Sequence, residues 1–231
     1  MPKTMRWIYI SPHLDDAVLS CGGLIFEQTR QGIPVEIWTI FAGDAPAGPL
    51  SPLALRCHAD WGISDVHELV AARRIEDLEA AAIVGAEIAH FGLPDCIYRR
   101  SPGGEALYPD EVFVPVHPIE AGLDSDIAAA LASELEPEDI LVAPLAIGNH
   151  VDHVLTRHSA ERLDRSLLYY ADIPYVLRFP EALGPFTARM ESTLHSVSKE
   201  GLIAWIEGSA AYKTQMVMIF RTEAKMKDAI R

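Results

Sequence analysis

The stretch Trp7-Ile8-Tyr9-Ile10-Ser11-Pro12-His13-Leu14-Asp15-Asp16 joins a short apolar run to a turn that carries one imidazole and two carboxylates. A run that is apolar along its whole length, rather than at alternate positions, marks a strand covered on both faces. The same construction returns at Ile140-Leu141-Val142-Ala143, followed closely by His150-Val151-Asp152-His153. Parallel sheets bind ligands beyond the carboxyl ends of their strands, where strand order reverses, and both polar clusters are expected there.

Outward from these two points, strands and helices alternate. The pattern predicts a strand at about 6–11, a helix from about Asp15 to Gln31 ended by Gly32, and a β-branched strand over Pro34–Phe41. A Pro- and Gly-rich loop at Gly43-Asp44 follows, then a short helix at Leu53–Trp61, a long one at Val66–Val84 and a third strand at Glu87–Phe91. Between Arg99 and Gly122 the pattern dissolves into Pro, Gly and polar residues. A loop of that length inside a compact domain is expected to be functional, here by framing a pocket. Regularity resumes with a helix at 125–135, a buried strand at 139–144, a helix at 151–163 and a strand at 167–171. Pro174–Pro185 reads as irregular, Met190–Ser196 as an edge strand and Lys199–Lys213 as mostly helical. The expected fold class is α/β, a Rossmann-like three-layer sandwich with a mainly parallel sheet, formed by residues 1–231 as a single domain with an irregular insertion at about 99–122.

With 231 residues the chain can bury a sizeable core. A net charge of −14 argues against nucleic acid and anionic membrane surfaces as partners. No signal-peptide pattern and no apolar stretch of membrane-spanning length is present, so a cytoplasmic location is expected. The three cysteines, Cys21, Cys57 and Cys96, are widely spaced and fit neither a disulfide framework nor a cysteine zinc cluster. No Ser or Cys occupies a recognisable nucleophile motif. Cys21-Gly22-Gly23 lies inside the first helix rather than in its first turn, which disfavours a dinucleotide fingerprint.

His13 and Asp16 are separated by two residues across a strand-to-helix turn and can point at one centre, leaving Asp15 on the open side. His150 and His153, three apart on a helical turn, share a face. One of them completes a three-ligand metal site with an open position; the other, with Asp152 nearby to fix its tautomer, can act on substrate. Such a site acidifies water and polarises a carbonyl, and Asp15 can accept the proton. A helix start and a nearby cation both favour the ionised form of Asp15. Nitrogen and oxygen ligands suit zinc, with other divalent metals as substitutes. Taken singly, acidic residues at a helix start are also ordinary caps. Two such clusters at equivalent strand ends point instead to metal-assisted hydrolysis.

Ser11-Pro12-His13-Leu14-Asp15-Asp16-Ala17-Val18-Leu19-Ser20-Cys21-Gly22-Gly23 resembles the opening motif of the LmbE/PIG-L family of zinc-dependent de-N-acetylases, in a branch similar to glycopeptide-antibiotic sugar deacetylases. His150-Val151-Asp152-His153 resembles that family's second motif, Arg73-Arg74-Ile75-Glu76 its Arg-x-x-Glu helix, Leu93-Pro94-Asp95 a substrate-contacting Asp, and Ala211-Tyr212-Lys213-Thr214-Gln215 a carboxyl-terminal element. The resemblance implies that His13, Asp16 and His153 hold Zn2+ and that Asp15 is the general base. It implies further that His150, oriented by Asp152, stabilises the oxyanion or protonates the leaving amine. Arg73 and Asp95 would hold substrate, and Asp44 ends a strand where relatives often carry an acid. Arg99 and Tyr108 of the irregular segment offer donors and a stacking face. The implied partner is a small N-acyl amino sugar or glycoconjugate, most simply N-acetylated; a homo-oligomer is left open. Alternatives are hydrolysis of another bond, such as a phosphoester, and a non-catalytic ligand-binding member of the fold. Leu14 and Ala17 depart from the common His-Pro-Asp-Asp-Glu motif without removing a ligand. Some relatives place a Tyr just before the second motif, where this chain has Ile147-Gly148-Asn149, so that role is vacant or filled from elsewhere, with Asn149 as one candidate.

Overall fold

The computed structural model describes residues 5–231. In chain order the elements are β1 (Trp7–Ser11), α1 (Asp16–Arg30), β2 (Val35–Thr39), α2 (Pro52–Trp61), α3 (Val66–Val84), β3 (Glu87–His90), α4 (Leu123–Glu134), β4 (Ile140–Pro144), α5 (Val151–Glu161), β5 (Leu167–Tyr170), α6 (Tyr175–Arg178), α7 (Leu183–Thr187), α8 (Lys199–Ala211), α9 (Lys213–Phe220) and α10 (Glu223–Ile230). The strands form one sheet in the order β3-β2-β1-β4-β5, and every neighbouring pair is parallel. Strand order reverses between β1 and β4, and these are the strands that lead into the two clusters.

Side chains alternate across the sheet as the pleat requires. Ile8, Ile10, Trp38, Leu141 and Ala143 enter one core with α2, α4 and α5. Tyr9, Val35, Ile37 and Val142 enter a second core with α1, α3 and Tyr212. Two apolar faces on each strand explain the continuous apolar runs, and the helices on both sides complete three layers.

Gly22 and Gly23 serve packing. A Cβ on Gly22 would lie 2.6 Å from Trp205 Cδ1, and one on Gly23 2.9 Å from Val197 Cγ1. The glycine pair is therefore the seat of α8, and Trp205 Nε1 fixes it by donating to Leu19 O at 3.0 Å.

The expected edge strand at Met190–Ser196 does not form. The sheet ends at β3 and β5, and this exposed segment runs without a ladder partner to α1. Just beyond it, Ser198 N and Oγ both donate to Glu27 and fix the start of α8 on α1. The stretch 174–185, expected to be irregular, contains α6 and the start of α7, and α9 and α10 extend the helical tail. Between 99 and 122 the chain is irregular as expected, with one bridge, Arg100 to Ala106, and a 3-10 turn over Pro118–Glu120. Among the described residues no helix is long and apolar enough to cross a membrane.

Candidate active site

β1 delivers His13, Asp15 and Asp16 to the crevice at the strand reversal. Ser11 Oγ accepts from Ala17 N at 3.1 Å and takes over the capping of α1. Asp15, at the helix N-cap, makes no side-chain cap bond, so its carboxylate is left to the cavity. Asp16 Oδ2 accepts from His13 N at 2.9 Å and is thereby aimed back across the turn.

β4 delivers the second cluster through a tight loop in which Ala146, Gly148 and Asn149 all have positive φ. His150 caps α5, with Asp152 N donating to His150 Nδ1 at 3.2 Å. An imidazole that accepts at Nδ1 carries its proton on Nε2 and is neutral. Burial and the neighbouring His13 and His153 likewise hold its pKa well below the usual histidine value. His150 thus presents an N–H donor, not a lone pair and not a cation.

The other two imidazoles are oriented by carboxylates. His13 Nε2 lies 3.0 Å from Asp152 Oδ2, which leaves Nδ1 facing Asp16 Oδ2 at 3.3 Å. His153 Nδ1 lies 2.7 Å from Asp172 Oδ1, which leaves Nε2 facing the same Asp16 oxygen at 3.3 Å. His153 Nε2 is buried and has no hydrogen-bond partner. Two nitrogen lone pairs and a carboxylate oxygen thus converge, which is unfavourable without a cation between them. The edge of a tetrahedron around zinc with bonds of 2.0–2.1 Å is about 3.3 Å, matching both separations. His13, Asp16 and His153 therefore fit a divalent ion, and each histidine gives its second nitrogen to a carboxylate, as metal-binding histidines usually do. One ligand atom each of His13, His150 and His153 also lies within 4.8 Å of the others, but the tautomer of His150 removes it from that set.

Without an ion, burial opposes protonation of His153, yet Asp16 and Asp172 raise its pKa to about 9. Burial also opposes protonation of His13, and Asp95, Asp152 and Asp16 together outweigh it. Burial would raise Asp16, but His153 and His13 hold its carboxyl well below the ordinary range. Burial, then repulsion from Asp16, lifts Asp15 to about 7, against the pull of Arg73 and His13. In the absence of the ion, desolvation outweighs the helix start.

The cavity over these groups measures about 280 Å³, and its wall includes Arg73, Asp95, Trp61, Phe113, Tyr175 and Gln215. A larger cavity, about 570 Å³, lies at the other end of the sheet around Arg6, Glu36 and Asp139 and contains none of this chemistry. Arg73 is buried rather than a solvated helix-face charge; it lies over the Trp61 ring at 5.1 Å and 3.5 Å from Asp95 Oδ2. Glu76, its partner in the sequence motif, instead accepts from Thr214 N and Oγ1 at 2.9 and 2.6 Å and ties down the carboxyl-terminal element.

Five expectations need correction. Asp152 orients His150 through its backbone N–H and not through its carboxylate, which is spent on His13, on Cys96 N at 3.0 Å and on Arg99 Nη1 at 2.6 Å. Arg99 is buried behind that carboxylate, donates also to Glu120 and to Pro94 O, and does not line the cavity. Tyr108 is buried too, donating to Glu120 Oε2 at 2.6 Å, because the irregular segment needs an internal polar anchor. Asp44 is an exposed loop acid paired with Arg74 Nη1 at 3.0 Å, outside the cavity. Asn149 is exposed and likewise outside. Of the irregular segment, Val112 and Phe113 reach the cavity wall.

Sequence reading missed Asp172, which is fully buried against His153. The signal was available: Asp172 stands two residues past β5, so it is one more acid at a strand's carboxyl end.

The chain is 28% identical over 243 residues to a 2'-N-acetylparomamine deacetylase from Niallia circulans, covering 96% of this chain and 84% of that protein. It is 32% identical over 179 residues to a 2'-N-acetylparomamine deacetylase from Streptomyces fradiae, covering 74% and 57%. Among solved structures, the zinc-inhibited form of a teicoplanin deacetylase superposes with a TM-score of 0.80 at 28% identity, covering 97% of this chain and 90% of that one. An A40926 pseudoaglycone deacetylase gives 0.66 at 28% identity, covering 93% and 84%. The model of the PIG-L family, GlcNAc-PI de-N-acetylase, matches residues 8–163, and the chain belongs to that family.

Proposed function

We propose that this chain acts as one domain, a zinc-dependent hydrolase that removes the N-acetyl group from an amino sugar or its glycoconjugate. One observation carries the reading: two imidazoles, each fixed by a buried carboxylate, turn their free nitrogens on Asp16 beside an unengaged Asp15. His13 Nδ1, Asp16 Oδ2 and His153 Nε2 would hold the ion. When bound, the ion supplies Lewis acidity toward a carbonyl oxygen and makes a nearby water more acidic. Asp15 takes the proton of the attacking water at its carboxylate, and a pKa near 7 suits a base working near neutrality. That proton then passes from Asp15 to the departing amine nitrogen, toward which neutral His150 gives a hydrogen bond from Nε2. Arg73, buried, and Asp95, half-buried beside it in the wall, bind hydroxyls of the sugar. The deacetylase names of the relatives support the reaction class.

Acetate release from N-acetylglucosamine and from a 2'-N-acetylated aminoglycoside, compared with turnover of a generic phosphoester, tests this reading. Amide hydrolysis alone, abolished by a chelator and restored by zinc, is expected. Phosphoester turnover without acetate release, or turnover indifferent to the chelator, would overturn it.

A further inference from the structure

Resting on the deacetylase reading, we propose that Tyr175 is a catalytic residue whose phenol O–H donates to the substrate carbonyl oxygen as that oxygen gains negative charge. The chain has seven tyrosines, and six of their hydroxyls are occupied. Tyr9 bonds Gln28, Tyr98 His58, Tyr108 Glu120, Tyr169 Glu161, Tyr170 the carbonyl of Ile10 and Tyr212 Asp77. Among the described residues nothing hydrogen-bonds the Tyr175 hydroxyl, and Tyr175 is the tyrosine that lines the site cavity.

Its ring stands edge-on to His153, with centroids 5.3 Å apart at 90°, and against Phe113 at 5.9 Å. The base of the ring rests on Gly148, where a Cβ would come 3.0 Å from Tyr175 Cδ1 and 3.3 Å from Cγ. Gly148 is held at φ 88°, so this position both favours glycine and leaves no room for a side chain. Tyr175 thus packs over the loop that presents His150, against both Gly148 and the ring of His153. A hydroxyl with no internal partner, in a cavity wall beside His153, is available to an oxygen of the substrate. Such a donor acts through a hydrogen bond that strengthens as charge develops and needs no change in its own protonation.

Y175F removes the hydroxyl and keeps the ring; Y175A removes both. The readouts are kcat and KM on the N-acetyl sugar, zinc content, and the affinity of a methylphosphonamidate isostere of N-acetylglucosamine, whose tetrahedral anion mimics the charged oxygen. For Y175F we expect kcat lower by roughly 10²-fold with KM and zinc content unchanged, and isostere affinity falling in step. A Y175F enzyme with wild-type kcat, or one that loses zinc, would assign Tyr175 to packing around His153 and overturn the proposal. Failure of the wild-type protein to release acetate would instead remove the deacetylase reading itself, and this proposal with it.

Discussion

Asp172 Oδ1 lies 2.7 Å from His153 Nδ1, and this contact decides which nitrogen of His153 faces Asp16. The relationship is repeated on the other side of the site by Asp152 and His13 at 3.0 Å, with the opposite ring nitrogen engaged. Neither carboxylate is exposed, so each fixes a ring orientation and a tautomer without competition from water.

Asp172→Asn should lower zinc affinity by about 10–100-fold while leaving the fold intact, the usual effect of losing a carboxylate behind a ligating histidine. Competition titration against a chromophoric chelator measures it. Affinity equal to that of the wild type would mean that Asp172 does not set the orientation of His153.

Asp15→Asn keeps the shape of the side chain but cannot accept a proton. Zinc content and KM should stay near wild type and kcat should fall by roughly 10²-fold or more. A base works deprotonated, so kcat/KM rises with pH through its pKa. Burial and Asp16 set that value at about 7 without an ion, and a bound dication can only pull it down. The acid limb in the wild type should therefore fall at or below about pH 7 and be altered in the variant. An unchanged rate and profile would remove Asp15 from the mechanism.

Arg99→Ala separates structure from substrate binding. Arg99 neutralises Asp152 and Glu120 from a buried position, and its loss strands two buried carboxylates. The expected cost is about 3–5 kcal/mol of stability by denaturant unfolding. A stable protein whose KM alone rises would restore Arg99 to the substrate.

Gly22→Ala places a methyl group against Trp205, an overpacked contact that should cost about 1–3 kcal/mol. Thermal unfolding reads it. If stability is unchanged, α8 has room to shift away from α1, and the glycine pair is not its seat.

Much of this was legible from local sequence. The strands of the sheet, apart from their ends, and the three-layer class follow from runs such as Trp7–Ile10 and Ile140–Ala143, which have apolar side chains on both faces of the sheet. The two clusters at the strand reversal were legible for the same reason, since the residue after a strand end has one place to go. What the sequence concealed was partner choice among buried charges. Nothing local tells that Asp152, next to His153 in the chain, reaches across to His13, or that Arg99 stands behind it. These pairings span 139 and 53 positions, counted from 13 to 152 and from 99 to 152, and are set by how β1, β4 and the irregular segment pack. The missing edge strand at 190–196 is a related case: the segment's few apolar residues suited an edge, but it stays exposed and leads into Ser198, which is anchored on Glu27.

The central claim is that one ion is held by His13, Asp16 and His153 while His150 keeps its proton. Anomalous diffraction at the zinc edge from crystals of the zinc-loaded protein tests it most directly. The account predicts a single peak in the cavity, bonded at roughly 2.0–2.2 Å to His13 Nδ1, an Asp16 oxygen and His153 Nε2, with His150 outside bonding distance. A peak ligated by His150 in place of one of the three, or no peak between the two clusters, would contradict it.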